Sequence, residues 1–348
     1  MVRFGLGLIA TRPAGELVDL VRTAEQLGFD FCNLADDPSA RDPYTVLAAA
    51  ATVTSKIRLG FSATHVYLRE PTLIAQSLAT LDELSGGRVD AVVSFGAPSI
   101  LDTYHVEWRG RRPLARVREA IEVMRAYLGD GVVDHQGAFF RYSGLETGVR
   151  PVQARLPLFV GALGGPRSFE LAGEVADGVQ CGSASADNSA YVVDHVRVGA
   201  ERAGRDPDTL QMGAYCFIAV SEDGTTAMEA ARRMTAGLLA SYPKTMILRH
   251  GLDPAQVAPI TAALGAGDMA RALELTTPEI GRALTIAGTP EECAERIRTD
   301  LIEAGIDHVQ LAILEPAAVE AYTGSRVDGL PDIRQQLQLV HDGIIAAM

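Results

Sequence analysis

The sequence predicts an α/β fold, a (β/α)8 TIM barrel with helical insertions, and three observations predict it. Short apolar runs alternate with helix-like stretches from the first residues onward. Eight such runs can be traced, more than the roughly five to seven strands of an ordinary open doubly wound sheet. Two successive runs stop abruptly at small or polar residues, as strands do when their C-terminal ends form a reactive rim.

The first strand is expected over residues 4–9. Leu17, Leu20, Val21, Ala24 and Leu27 then recur at helical spacing and mark one buried face. The second strand, 29–34, closes at Asp36-Asp37-Pro38, and the third, 57–61, gives way to Ser62, Ala63, Thr64 and His65. Pro71 suits the first turn of the next helix and Gly86-Gly87 ends it. The fourth strand, 89–93, ends at Ser94, Phe95 and Gly96. After a helix carrying Val117, Ile121, Met124 and Leu128, further strands are expected at 156–161, 178–181, 212–220 and 308–314. Thr289, Pro290 and Glu292 form a capping box for a helix to about residue 304, closed by Gly305.

Two stretches exceed a minimal barrel: 104–112 with 130–155, and a helical insertion at about 225–284 with breaks at Gly251, Gly265 and Gly281. The second is expected to serve as a lid or an oligomer interface. The whole chain, 1–348, reads as one barrel domain.

A net charge of −13, with no compact basic run, opposes binding to nucleic acid or anionic lipid. No apolar run approaches the ~18 residues of a membrane span. The opening RFGLGLIATRPAG lacks the length and cleavage site of a signal peptide. A soluble cytoplasmic protein acting on a small molecule is expected. Cys32, Cys181, Cys216 and Cys293 are far apart, so neither a disulfide framework nor a metal site is expected.

Within this frame, Gly164, Gly165 and Pro166 follow a strand and open a helix, a turn that either binds an anion or simply connects. Asp36 and Asp37 at a strand end offer a general acid or an anchor, although adjacent residues point in opposite directions and only one is expected to face the cavity. His65 has the best address of the seven histidines for a proton donor or substrate contact. Arg249-His250-Gly251 either places a cation and an imidazole near a ligand or ends a helix favourably, and the helix end is expected. No GxSxG elbow, Walker loop, HExxH or GxGxxG fingerprint occurs.

Taken in order, RFGLGL, TAEQLGFDF, LGFSATHVYLREP, TLDELSGGR, the Glu107-Trp108 pair, VGALGGP with ELAGEVADG, LRHGL and AGTPEE span nearly the full chain. Together they resemble the luciferase-like flavin and deazaflavin oxidoreductases, in particular the methylenetetrahydromethanopterin reductase branch, which uses coenzyme F420. The resemblance implies a cofactor ring at the C-terminal rim, backed by a bulge with a non-prolyl cis peptide at Ser62-Ala63. It implies that Ser62, Ala63, Thr64, Ser94 and Gly96 line the ring. Gly161, Ala162, Gly164, Gly165, Gln180, Cys181 and Gly182 are implied along the rest of the cofactor, the last five of these near its phosphate-bearing tail. A homodimer is implied as well.

The departures are equally specific. Relatives carry a glutamate at the end of strand one where this chain has Gly7, Asp-His where it has Asp36-Asp37, and asparagine where it has His65. The expected function is hydride transfer from reduced F420 to a C=N or conjugated C=C bond, with Asp36, Asp37 or His65 supplying the proton. The alternatives are an FMN-dependent monooxygenase of the same family and a cofactor-binding homologue without catalysis.

Overall fold

The computed structural model describes residues 2–129 and 131–348; residue 130, at the edge of an expected insertion, lies outside them. Eleven strands follow in chain order: β1 Arg3–Ile9, β2 Phe31–Ala35, β3 Arg58–His65, β4 Val89–Ser94, β5 Val132–Gln136, β6 Arg141–Glu146, β7 Leu158–Ala162, β8 Gly178–Gly182, β9 Gln211–Val220, β10 Thr285–Gly288 and β11 His308–Ile313. Eight of them, β1 to β4 with β7, β8, β9 and β11, pair in parallel, and the ring closes because β9 bonds to both β8 and β11. The chain is a (β/α)8 barrel.

All eight expected strands form, within one or two residues except at β3. That strand runs on to His65, because a bulge after Ser62 restores pairing of Thr64 with Val93 and of His65 with Ser94. Two features were not anticipated. The insertion after the fourth strand holds the antiparallel hairpin β5–β6, and β10 adds a ninth strand to the edge of β9.

The period of two explains the runs. Leu6 and Leu8 of β1 pack outward under the helices, while Gly5 and Gly7 face the barrel interior. A Cβ at Gly5 would lie 2.0 Å from the Phe31 ring. The interior is polar in its middle layer: Asn33 donates to Gln310 at 2.9 Å, Gln180 donates to the same oxygen at 3.3 Å, and Arg58 pairs with Asp90 at 3.0 Å. Gly60 leaves room for this layer, since a side chain there would meet Asn33 and Asp90 within 2.4 Å.

Residues 225–284 are helical, as Thr225–Leu238, Lys244–Arg249, Pro254–Gly265, Met269–Leu275 and Pro278–Leu284. The later helices bury their own cluster, including Ile247, Leu252, Val257, Ile260 and Leu284. The capping box at Thr289 forms, and its helix Pro290–Ile297 passes into a π-helical turn, Arg298–Ile302. Among the described residues no helix is long and apolar enough to cross a membrane. Nor does any group of three or more His, Cys, Asp or Glu there suit a metal ion.

Candidate active site

The ends of β3, β4 and β7 form a tight floor at the barrel mouth. The Ser62–Ala63 peptide is cis and sits at the β3 bulge. A Cβ at Gly161 would lie 3.1 Å from Val92 Cγ1, 3.3 Å from Ser94 Cβ and 3.4 Å from Ala63 Cβ. Glycine is therefore what lets these three strand ends close up while leaving the surface above them open. Ser94 accepts the Gly96 amide at 3.1 Å, and Gly96 adopts φ +107°, which brings it against the His65 ring.

The acids beside this floor are engaged elsewhere. With Asn33 directed inward, Asp36 lies on the outward side of β2. Its carboxylate is nearly fully buried and accepts Arg69 Nε at 2.8 Å, Arg69 Nη2 at 3.1 Å and the Thr64 hydroxyl at 2.9 Å. The Arg69 guanidinium also reaches Asp42 at 2.8 Å and lies over the Tyr44 ring. Against the opposing effect of burial, the Thr45 amide and hydroxyl, with Arg69 adding to them, hold the Asp42 carboxyl below its usual range. Burial also pushes the Tyr44 phenol up. Asp37 accepts the Ser39 amide and hydroxyl at 2.8 and 2.7 Å, the local turn chemistry of an aspartate.

His65 is buried, and its Nε2 lies 3.0 Å from the Asp36 carbonyl, to which it donates. Its Nδ1 is buried with no partner among the described residues. The structure thus brings His65, Thr64 and Asp36 together through shared bonds. It turns Asp37 into a separate turn.

On the far side of the mouth, Gly164 packs under Pro243, Gly165 has open space around it, and Pro166 starts the helix Pro166–Val175. Arg249 reaches across from the helical insertion. Its Nε donates to Asn188 at 2.8 Å, its Nη2 donates to the Gly164 carbonyl at 3.2 Å, and the guanidinium lies 4.2 Å from the Tyr191 ring centroid. Its partners are neutral, so a half-buried cation stands beside a helix N-terminus. Its neighbour His250 donates Nδ1–H to the Met246 carbonyl at 2.8 Å and accepts the Ala184 amide at Nε2 at 3.3 Å. Burial holds this imidazole down at about 4, so it is neutral. The expected helix end is present, and Arg249 also ties the insertion to Asn188 and Gly164.

The residues of β8 divide by face. Gly182 is buried on the mouth side, where a Cβ would lie 3.1 Å from Leu163, 3.2 Å from Met246 and 4.0 Å from the Tyr242 hydroxyl. Gln180 lies in the interior layer with Gln310, and Ala162 and Cys181 are buried in the core under the helices. Burial pushes the Cys181 thiol up to about 12, so it is un-ionised. Gly7 is explained by the same interior layer: a Cβ there would lie 2.6 Å from Gln310 Nε2. A side chain at position 7 and the Gln310 amide compete for one space.

The profile of the luciferase-like monooxygenase family matches residues 1–308. The chain is similar to the 5,10-methylenetetrahydromethanopterin reductase of Methanolobus tindarius, 31% identical over 307 residues that cover 88% of this chain and 92% of that protein. It is 30% identical to the protein of the same name from Archaeoglobus fulgidus, over 99% of both chains. Its structure is similar to that of the coenzyme F420-dependent tetrahydromethanopterin reductase from Methanopyrus kandleri, with a TM-score of 0.88, 28% identity and 99% of each chain covered. The bulged β3, the floor at Gly161 and the glycine turn before Pro166 lie inside the matched region, and the chain belongs to the luciferase-like monooxygenase family.

Proposed function

We propose that this protein is an F420-dependent oxidoreductase that reduces a C=N or conjugated C=C bond in a small organic molecule. The observation that carries the reading is the close approach of Ala63, Ser94 and Gly161 at the barrel mouth, a floor with no side chain rising from Gly161. Such a floor suits a planar ring, and the structurally similar tetrahydromethanopterin reductase of Methanopyrus kandleri is F420-dependent by name. When bound, reduced F420 supplies a hydride to the acceptor carbon.

The remaining work falls to the chain itself. Ser62, Ala63, Ser94, Gly96 and Gly161 would support the ring. The open space at Gly165, before the helix that starts at Pro166, and the Arg249 guanidinium suit the anionic tail. Asp36, Arg69, Thr64 and Tyr44 brace the β3 end from behind, so the floor keeps its shape during turnover. Gly7 separates this chain from a reductase with a glutamate at that position, which favours a substrate other than the methanopterin.

Parallel fluorescence titrations with F420 and FMN test the reading, followed by a turnover screen of imines and enones. Selective F420 binding with reduction of at least one acceptor is the expected result. Selective FMN binding would move the protein to oxygen-dependent chemistry. Tight F420 binding without turnover across the panel would mark a carrier.

A further inference from the structure

The proposed reduction needs a proton as well as a hydride, and the acids nearest the floor are occupied. Asp36 is ion-paired with Arg69, Asp37 holds Ser39, and His65 donates its Nε2–H to a main-chain carbonyl. Position 7 has no side chain at all.

Two phenols stand at the same mouth. Along β9 the residues Ala214, Cys216 and Ile218 are buried in the core under the helices, whereas Tyr215 and Phe217 are only part-buried, as residues facing an open barrel mouth would be. Their rings meet edge to face at 5.1 Å. Tyr215 is paired in register with Gly182 of β8. Tyr242, carried in from the helical insertion, places its hydroxyl 4.0 Å from the point where a Cβ on Gly182 would sit. One strand away, β7 carries Gly161 of the floor.

We propose that Tyr242 and Tyr215, meeting at Gly182, are the proton-donating edge of the site, the part played by an acid in relatives with a side chain at position 7. This rests on the oxidoreductase reading above. In the step, the phenolic O–H bond breaks and a new N–H or C–H bond forms on the substrate atom adjacent to the carbon that accepts the hydride. The O–H electron pair stays on the oxygen as phenolate, and solvent water reprotonates it. Both phenols are kept protonated until substrate arrives. Burial raises Tyr215 well above its ordinary value and raises Tyr242 as well, with Tyr322 and the Cys216 thiol adding in the same direction. Tyr322, half exposed and itself raised by burial and by Asp37, is a third phenol whose charge bears on both.

The test uses the full-length protein with Tyr215→Phe, Tyr242→Phe and the double variant. In the cofactor-free protein, tyrosinate absorbance is followed with rising pH. Each substitution is expected to remove a phenol from the latest-titrating group, and loss from the ordinary group near pH 10 instead would overturn the assignment. With F420 and an imine, kcat is expected to fall by about 100-fold in the double variant, while the Kd for F420 and KM change less than about twofold. Undiminished kcat with intact F420 binding would overturn the proton-donor role alone. Failure of the wild-type protein to bind F420 would instead overturn the oxidoreductase reading.

Discussion

Arg69 grips the Asp36 carboxylate with two nitrogens, Nε at 2.8 Å and Nη2 at 3.1 Å, behind the end of β3. The Asp36 side chain is 3% exposed and that of Arg69 36%, so one charge is fully desolvated and the other is partly screened. Asp36 also accepts the Thr64 hydroxyl and offers its carbonyl to His65. It therefore fixes the two residues that follow the bulge.

Asp36→Asn keeps the shape and removes the charge. Breaking a fully buried pair costs about 3–5 kcal/mol, and the exposure of Arg69 reduces this to about 2 kcal/mol. Urea unfolding should show a lower midpoint with an unchanged slope, the extrapolated unfolding free energy falling by about 2 kcal/mol. A loss under about 0.5 kcal/mol would mean that solvent already screens the pair.

Gly161→Ala tests the floor. The new Cβ would stand 3.1 to 3.4 Å from Val92, Ser94 and Ala63, which must yield by a few tenths of an ångström. The fold should survive with a cost of about 1 kcal/mol. F420 affinity should fall about tenfold, equivalent to about 1.4 kcal/mol. Unchanged affinity in a fluorescence titration would move the ring away from this surface.

Arg249→Lys keeps the charge but loses the fork that reaches Asn188 and Gly164 together. F420 affinity is expected to drop about tenfold and to become more sensitive to salt, because a mobile ammonium is more exposed to screening. Wild-type affinity in the variant would leave Arg249 as a tie between the insertion and the barrel only.

His250 makes stability depend on pH. Burial, with Arg249 and Arg296 adding to it and the Met246 carbonyl and Asp300 opposing, holds its folded value at about 4, against about 6.5 in an unfolded chain. Between these values the unfolded chain binds the proton and the native one does not. Stability therefore falls as pH drops from about 6.5 to about 4, by up to about 3 kcal/mol, and this contribution levels off below. Unfolding free energies measured at about pH 4.5 and 6.5 should differ less in His250→Gln. An equal slope in both proteins would assign the dependence to other groups.

The eight barrel strands were legible because parallel strands covered on both faces read as continuous apolar runs. The helix after Thr289 was legible because its capping box is a local code. β10 was not, because Thr285–Gly288 is short, follows a helix directly and becomes a strand only by pairing with β9. The apolar run of β3 stops at Phe61, so the run alone placed the strand end too early. The bulge and cis peptide at Ser62-Ala63 were expected only through the resemblance and are present, because a bulge is a property of two strands in register.

The sequence by itself determined the barrel, the rim and the glycines that admit close approach, since these follow from apolar periodicity and the absence of side chains. Only the tertiary structure decided which polar groups meet. Asp36 faces Arg69 because the parity of β2 directs it outward. Arg249 reaches Gly164, and Tyr242 and Tyr215 meet at Gly182, across 60 to 85 residues of chain in two cases and across a β-ladder in the third. Local propensity specifies how each segment folds, whereas the position of a side chain tens of residues away is fixed only when the hydrophobic layers close and strand registers lock.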